Sequence, residues 1–166
     1  MNTKNYWIDK LNLLPHPEGG FYKEVYRSEG NIPSEVLPNH EGDSRSYLTS
    51  IYFLLGKNDI SHFHILSSDE IWYYNQGCSC IIHKIDLNGN YSSQVVGPEG
   101  EMQVIIPNNT YFAAEVISKI QNDSDDFILV SCAVAPGFDF NDFRLVAFEE
   151  LNSICSGQEQ LIRKFT

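Results

Sequence analysis

Residues 56–77 read GKNDISHFHILSSDEIWYYNQG, and the fold turns on this stretch. Ser61–Leu66 alternates like a strand, and Ser67-Ser68-Asp69 marks a turn. Ile71-Trp72-Tyr73-Tyr74 then resumes an aromatic, β-rich run that Gly77 closes. Side chains alternate along a strand, which predicts His62 and His64 on one face and Phe63 and Ile65 on the other. Glu70 follows across the turn. Two imidazoles and a carboxylate on one face suit a first-row transition metal. The same groups also suit proton transfer, with the carboxylate orienting a histidine.

The language of strands continues on both sides. Upstream, Phe21–Tyr26 follows Gly19-Gly20, and residues 46–55 form an apolar strand ending at Gly56. Downstream, Cys78–Asp86 and Tyr91–Val96 flank an Asn88-Gly89 hairpin signal. Gln103–Ile106, Tyr111–Ile117, Phe127–Ala135 and Phe143–Phe148 complete the strand set, with an acidic tip at residues 122–126. Residues 29–44, with two prolines and two glycines, read as a loop. Helical spacing is confined to the ends. Trp7, Leu11 and Leu14 predict a helix over residues 3–14 that Pro15 stops, and residues 149–165 predict one or two short helices. Such regular short strands imply an all-β sandwich or barrel. No βαβ alternation and no glycine-rich phosphate motif is present.

The 166 residues suit one domain, 1–166, with a core barrel at about 15–148. Acidic residues outnumber basic ones 22 to 11, a formal net charge of −11. Such a surface repels phosphate backbones and anionic lipid, so neither nucleic acid nor membrane is an expected partner. Cys78, Cys80, Cys132 and Cys155 form no CxxC pair and are expected reduced, in a cytoplasmic protein, with a metal role at Cys78/Cys80 as the alternative. Polar and charged residues from Asn5 to Lys10 argue against a secretory leader. The longest apolar run, Ile51–Leu55, is far too short to span a bilayer.

Gly56, His62, His64, Glu70 and Gly77 together resemble the first motif of the cupin superfamily, and residues 100–112 resemble the second. Asn109 stands where cupins carry a turn glycine, and Phe112 stands where metal-binding cupins place a third histidine. A nearer resemblance lies in Leu14-Pro15-His16-Pro17-Glu18-Gly19-Gly20-Phe21-Tyr22, which is similar to the PHPEGG signature of cupin family five, a domain of unknown function. Glu24, Arg27-Ser28, Arg45, Thr49, Ser68–Trp72, Gln103, Pro107, Pro136–Phe140 and Asp142-Phe143 agree with it in order.

The resemblance implies a double-stranded β-helix, or jelly-roll barrel, with a small-molecule pocket inside. It also implies a homodimer, and a greater weight on His64 than on His62. A divalent transition metal on His62, His64 and Glu70 would need a further ligand in place of Phe112, such as water, Gln103 or a tyrosine.

Other residues have two readings each. His16 reads as a turn residue, whereas Glu18 reads equally as a rim residue. Arg27 and Arg45 could grip a ligand carboxylate or phosphate through their planar forks, or pair with Glu24 or Asp69. Tyr52 or Tyr111 could supply an acid opposite His64. Trp72 and Phe112 could line a pocket for a flat ring or a sugar. His83 reads as structural or exposed, and Phe138, Phe140 and Phe143 read as a packing plug or a dimer contact.

Three functions follow. One is a metal-independent sugar or nucleotide-sugar epimerase or isomerase, with His64 as base and Glu70 orienting it. Another is a metal-dependent dioxygenase or isomerase. The third is a binding protein without chemistry.

Overall fold

Alternating apolar residues on β-branched and aromatic strands need two layers to bury one face of each. The chain, a computed structural model that describes residues 3–37, 42–118 and 126–166, meets that need with two sheets packed face to face. In chain order the strands are β1 (Leu14–Pro15), β2 (Phe21–Arg27), β3 (Asn31–Ile32), β4 (Arg45–Ser46), β5 (Thr49–Gly56), β6 (Ile60–Leu66) and β7 (Asp69–Gly77). They continue as β8 (Ser79–Ile85), β9 (Tyr91–Val96), β10 (Gln103–Ile106), β11 (Tyr111–Ile117), β12 (Phe127–Ala135) and β13 (Phe143–Leu145). Helices α1 (Lys4–Leu11), α2 (Phe148–Ile154) and α3 (Glu159–Phe165) sit at the termini.

One sheet runs β1-β2-β5-β12-β7-β10 and the other β13-β6-β11-β8-β9, all pairs antiparallel. Sequence-distant strands such as β5 and β12 are neighbours, as a jelly roll requires. The core between the sheets takes every second residue: Phe53 and Leu55 from β5, Cys80 and Ile82 from β8, Phe112 and Ala114 from β11, Ile128, Val130 and Cys132 from β12. Two further apolar clusters lie outside it. Leu13, Leu54, Phe127 and Leu129 pack under α1, and Phe63, Ile85, Leu151, Ile162 and Phe165 pack beneath α2 and α3.

The helix predicted over residues 3–14 is shorter. Asn12 turns left-handed at φ 52°, and Leu14 enters β1. The loop predicted over residues 29–44 holds β3 and a short 3-10 turn at Ser34–Val36 and ends where β4 begins, while residues 38–41 lie outside the described residues. Residues 122–125 of the acidic tip also lie outside them. Asn109 takes φ 55° at the turn before β11, a left-handed angle that asparagine tolerates in place of glycine. None of the four cysteines is in a disulfide. Among the described residues no helix is long and apolar enough to cross a membrane.

Candidate functional site

β2 and β6 each carry one residue more than the strand they pair with, and these two bulges aim the site. On β6, His64 pairs with Phe112 but Ser61 pairs with Ala114, so three steps on β6 match two on β11. The extra residue shifts the alternation. Ser61 and His64 therefore bury together on the inner side, both reaching Glu18, and Phe63 turns out against Phe165. On β2, Glu24 pairs with Ile51 and Tyr26 with Ser50, which makes Val25 the extra residue. That bulge brings Arg27 to the inner side with Tyr22 and Glu24.

The interior keeps a cavity of about 220 Å³. Its walls are Tyr22, Phe53, Trp72, Phe138, Phe140 and Phe143. Its inner end carries Glu18, His16, His64, Glu70 and Cys132. Glu24, Arg27, Asp139 and Phe140 lie at the open end, where Phe140 is half exposed.

Glu18 reaches the interior because Gly19 lets the backbone lie against β6. Gly19 has φ 112°, and a Cβ there would stand 2.0 Å from the Ile60 carbonyl oxygen. The Glu18 carbonyl then accepts from both the amide and Nδ1 of His62, each at 2.8 Å.

The hydrogen bonds require a proton at one point. His64 Nδ1 donates to the His62 carbonyl at 2.7 Å, so Nε2 of the neutral ring is an acceptor. Nε2 lies 3.1 Å from Glu18 Oε2. His16 Nδ1 accepts the Glu18 backbone N–H at 3.3 Å and stands 3.5 Å from the same Oε2. Ser61 donates to Glu18 Oε1 at 2.9 Å. Glu18 Oε2 thus faces two acceptor nitrogens, and one proton must be shared between Glu18 and His64. Beside them, Glu70 Oε1 accepts from Trp72 Nε1 at 2.8 Å, and the Cys132 thiol also bonds the Glu70 carboxyl.

Burial sets the charge states. It pushes His64 down to about 4 and holds His16 below the ordinary histidine value. It raises Glu18 above the carboxylate range and is the main cause that lifts Glu70 to about 7. The shared proton therefore rests on Glu18, donating to a neutral His64. Glu70 is poised to gain or lose its own proton near neutrality.

The model of the cupin superfamily family Cupin_5 (DUF985) matches residues 5–146. The chain belongs to this cupin family. A hypothetical protein from Leishmania major superposes with a TM-score of 0.88 at 33% identity, covering 99% of both chains. A protein from Shewanella oneidensis superposes at 0.84 with 34% identity, covering 100% of this cupin and 98% of that chain. The uncharacterized protein YML079W of Saccharomyces cerevisiae is 29% identical over 153 residues, 86% of this cupin and 75% of that protein.

The cupin barrel brings together His64, Glu70, Glu18, Trp72 and Arg27 of the residues singled out in the sequence. It leaves others aside. The β6 bulge keeps His62 out of the cavity lining, so the expectation of one shared His62/His64 face does not hold. Tyr52 alternates to the outer side of β5 and packs in the α1 cluster. Tyr111 faces outward on β11 and bonds Glu150 at 3.2 Å. Gln103 is exposed on the edge strand β10. Arg45 is 2% exposed and forks onto Asp142 at 2.7 and 2.8 Å, away from the cavity. Phe112 is core, with its ring centroid 3.9 Å from that of His64.

The residues do not fit the three-ligand metal set. His62 is turned onto the Glu18 backbone, Phe112 fills the third position, and His64 Nε2 is engaged by Glu18. Among the described residues no group of three His, Cys, Asp or Glu side chains could hold a metal ion.

His16, Cys132, Phe138, Phe140 and Phe143 line the cavity without having been assigned to it from sequence. Strand parity carried a signal for Cys132, which shares its side of β12 with Val130 and Val134. Nothing in the sequence placed His16 beside Glu18 Oε2.

Proposed function

We propose that this cupin catalyses proton transfer on a small, ring-shaped substrate, in the manner of an isomerase or epimerase and without a metal. The observation that carries this reading is the pairing, in one cavity, of a carboxyl that must hold a proton with a second carboxyl poised near neutrality. Two buried carboxyls whose environments part their proton affinities divide naturally into acid and base. Glu70 takes a proton from substrate carbon, and the Glu18–His64 unit gives one to the adjoining oxygen. Return of the proton to the other face or the neighbouring carbon completes the isomerisation, with no net change in protons. This revises the role of Glu70, which contacts Trp72 and Cys132, whereas Glu18 contacts His64. The acid is the Glu18–His64 unit and not a tyrosine. The cavity of about 220 Å³ suits a single ring, which favours a sugar-like or cyclic ketone substrate over a whole nucleotide sugar.

The test is hydrogen exchange in heavy water. Monosaccharides and small cyclic ketones are incubated with the wild type, with Glu70→Gln and with His64→Ala, and deuterium on carbon is read by NMR. Wild type is expected to exchange at least one probe, and each variant is expected to slow this by about 100-fold or more. Probes that bind in the barrel yet never exchange would make the protein a ligand carrier.

A further inference from the structure

We infer that the ligand of the barrel cavity is a small organic cation, an aromatic or alicyclic ring bearing a protonated amine, whose nitrogen sits between Glu18 and Glu70. This inference rests on the cavity being the ligand site proposed above, and it narrows the sugar-like or cyclic ketone substrate named there to one that also carries a protonated amine.

Charge at the two ends of the cavity selects the ligand. The inner end holds two carboxyls, Glu70, which accepts from Trp72 Nε1, and Glu18, whose Oε2 faces His64 and His16. Glu18 and Glu70 are 6% and 7% exposed, so both carboxyls are deep in the protein. Among the described residues the one arginine that lines the cavity is already engaged. Arg27 forks onto Glu24 at 3.0 and 2.7 Å and donates again to the Phe138 carbonyl at 3.0 Å. Its charge is thereby neutralised, and Asp139 adds a further acid at the same end. An anionic ligand would meet carboxyls at both ends with no free guanidinium to receive it. A neutral ligand would leave an ionised Glu70 carboxyl without a counter-charge. A cationic ligand supplies both charge and donors to a buried acidic end.

The walls point the same way. Tyr22, Phe53, Trp72 and Phe143 offer ring surfaces around the space in front of the carboxyls. Aromatic faces attract cations, and more strongly where water is excluded. The aromatic walls alone would accept any apolar ring. The carboxyls alone would accept a proton. Their combination in one enclosed volume selects a ring that carries its own positive charge.

The experiment compares three probes of nearly one shape on the full-length wild type: benzylamine, benzyl alcohol and benzoate, each titrated by calorimetry at pH 8. Benzylamine is expected to bind about tenfold or more tightly than benzyl alcohol, and benzoate weakest. Glu70→Gln, with its fold checked by circular dichroism, is expected to reduce that preference to less than about threefold. Binding of benzyl alcohol or benzoate as tightly as benzylamine overturns the cationic assignment and leaves the cavity as a ligand site. Binding of none of the three at millimolar concentration overturns the ligand site itself, and the assignment with it.

Discussion

His64 and His83 lie on strands of the same sheet, both buried and both held below the ordinary histidine value by burial. Their settings differ. His64 opens onto a cavity and shares a proton with Glu18. His83 faces the opposite side of its sheet, with Nδ1 on the Tyr91 hydroxyl at 2.9 Å and its ring 5.2 Å from that of Phe165. Its Nε2 is buried without a hydrogen-bond partner, and Glu115 stands off at 3.7 Å. A buried titratable group next to empty space can exchange protons with a ligand. The same group under a packed helix can only fill volume. Space, more than residue type or proton affinity, separates the candidate site from the scaffold.

The largest effect should come from opening the closed side. Phe165 is fully buried on α3 and packs on both Phe63 and His83. Phe165→Ala should cost about 3–5 kcal/mol of stability in urea denaturation. Phe140→Ala, a half-exposed cavity residue, should cost less than about 1 kcal/mol. Equal losses would erase the distinction between a packed flank and an open cavity.

A smaller effect tests the cavity carboxyl through pH. The Glu70 carboxyl titrates near 4.5 in the unfolded chain and at about 7 in the fold, so the fold keeps a proton that the unfolded chain has released. Stability therefore falls as pH rises from 4.5 to 7, by about 3 kcal/mol in all. His64 acts oppositely. Its folded value of about 4 lies below the unfolded 6.5, so stability rises across that interval. The two limbs offset one another in the wild type. Glu70→Gln removes the falling limb, so the variant should gain about 3 kcal/mol on the wild type between pH 4 and pH 8, read from denaturation midpoints. Parallel stability curves for the two proteins would show that Glu70 is not the buried acid described here.

The third effect is smaller still. His83→Phe removes a nitrogen that has no partner and keeps an apolar ring against Phe165. Stability should change by no more than about 1 kcal/mol in either direction, and probe binding in the cavity should not change. A large loss of stability would mean that the Tyr91 bond holds the flank together. A change in binding would mean that the two histidines communicate.

The sequence disclosed the strands because alternation, aromatic runs and turn residues are local properties. Gly19-Gly20 and Asn88-Gly89 could be read as turns for the same reason. Glu70 and Trp72 share one parity of β7, which runs true over them, whereas the weight on His64 came from the family resemblance. His62 and Tyr111 show where local reasoning ended. His62 depends on a bulge, which adds one residue and leaves no mark in composition. Tyr111 depends on which parity of β11 faces inward, and both of its parities are apolar. Glu18 and His16 meet His64 only because Gly19 lies against Ile60, a contact between segments about 40 residues apart that no window of sequence contains.

The two arginines mark the least effect and the same distinction. In the sequence Arg27 and Arg45 were equal candidates for gripping a ligand. Arg45 is closed in with Asp142, both side chains at most 3% exposed, and serves the fold. Arg27 and Glu24 remain about two-fifths exposed at the open end of the cavity, where solvent screens their attraction. Arg27→Ala should therefore cost less than about 1 kcal/mol in urea denaturation. It should also free Glu24 to add its charge to the cavity, so benzylamine affinity should hold or rise slightly. A fall in benzylamine affinity would show that the Arg27 fork, by holding Phe138 through its carbonyl, shapes the aromatic wall as well as neutralising Glu24.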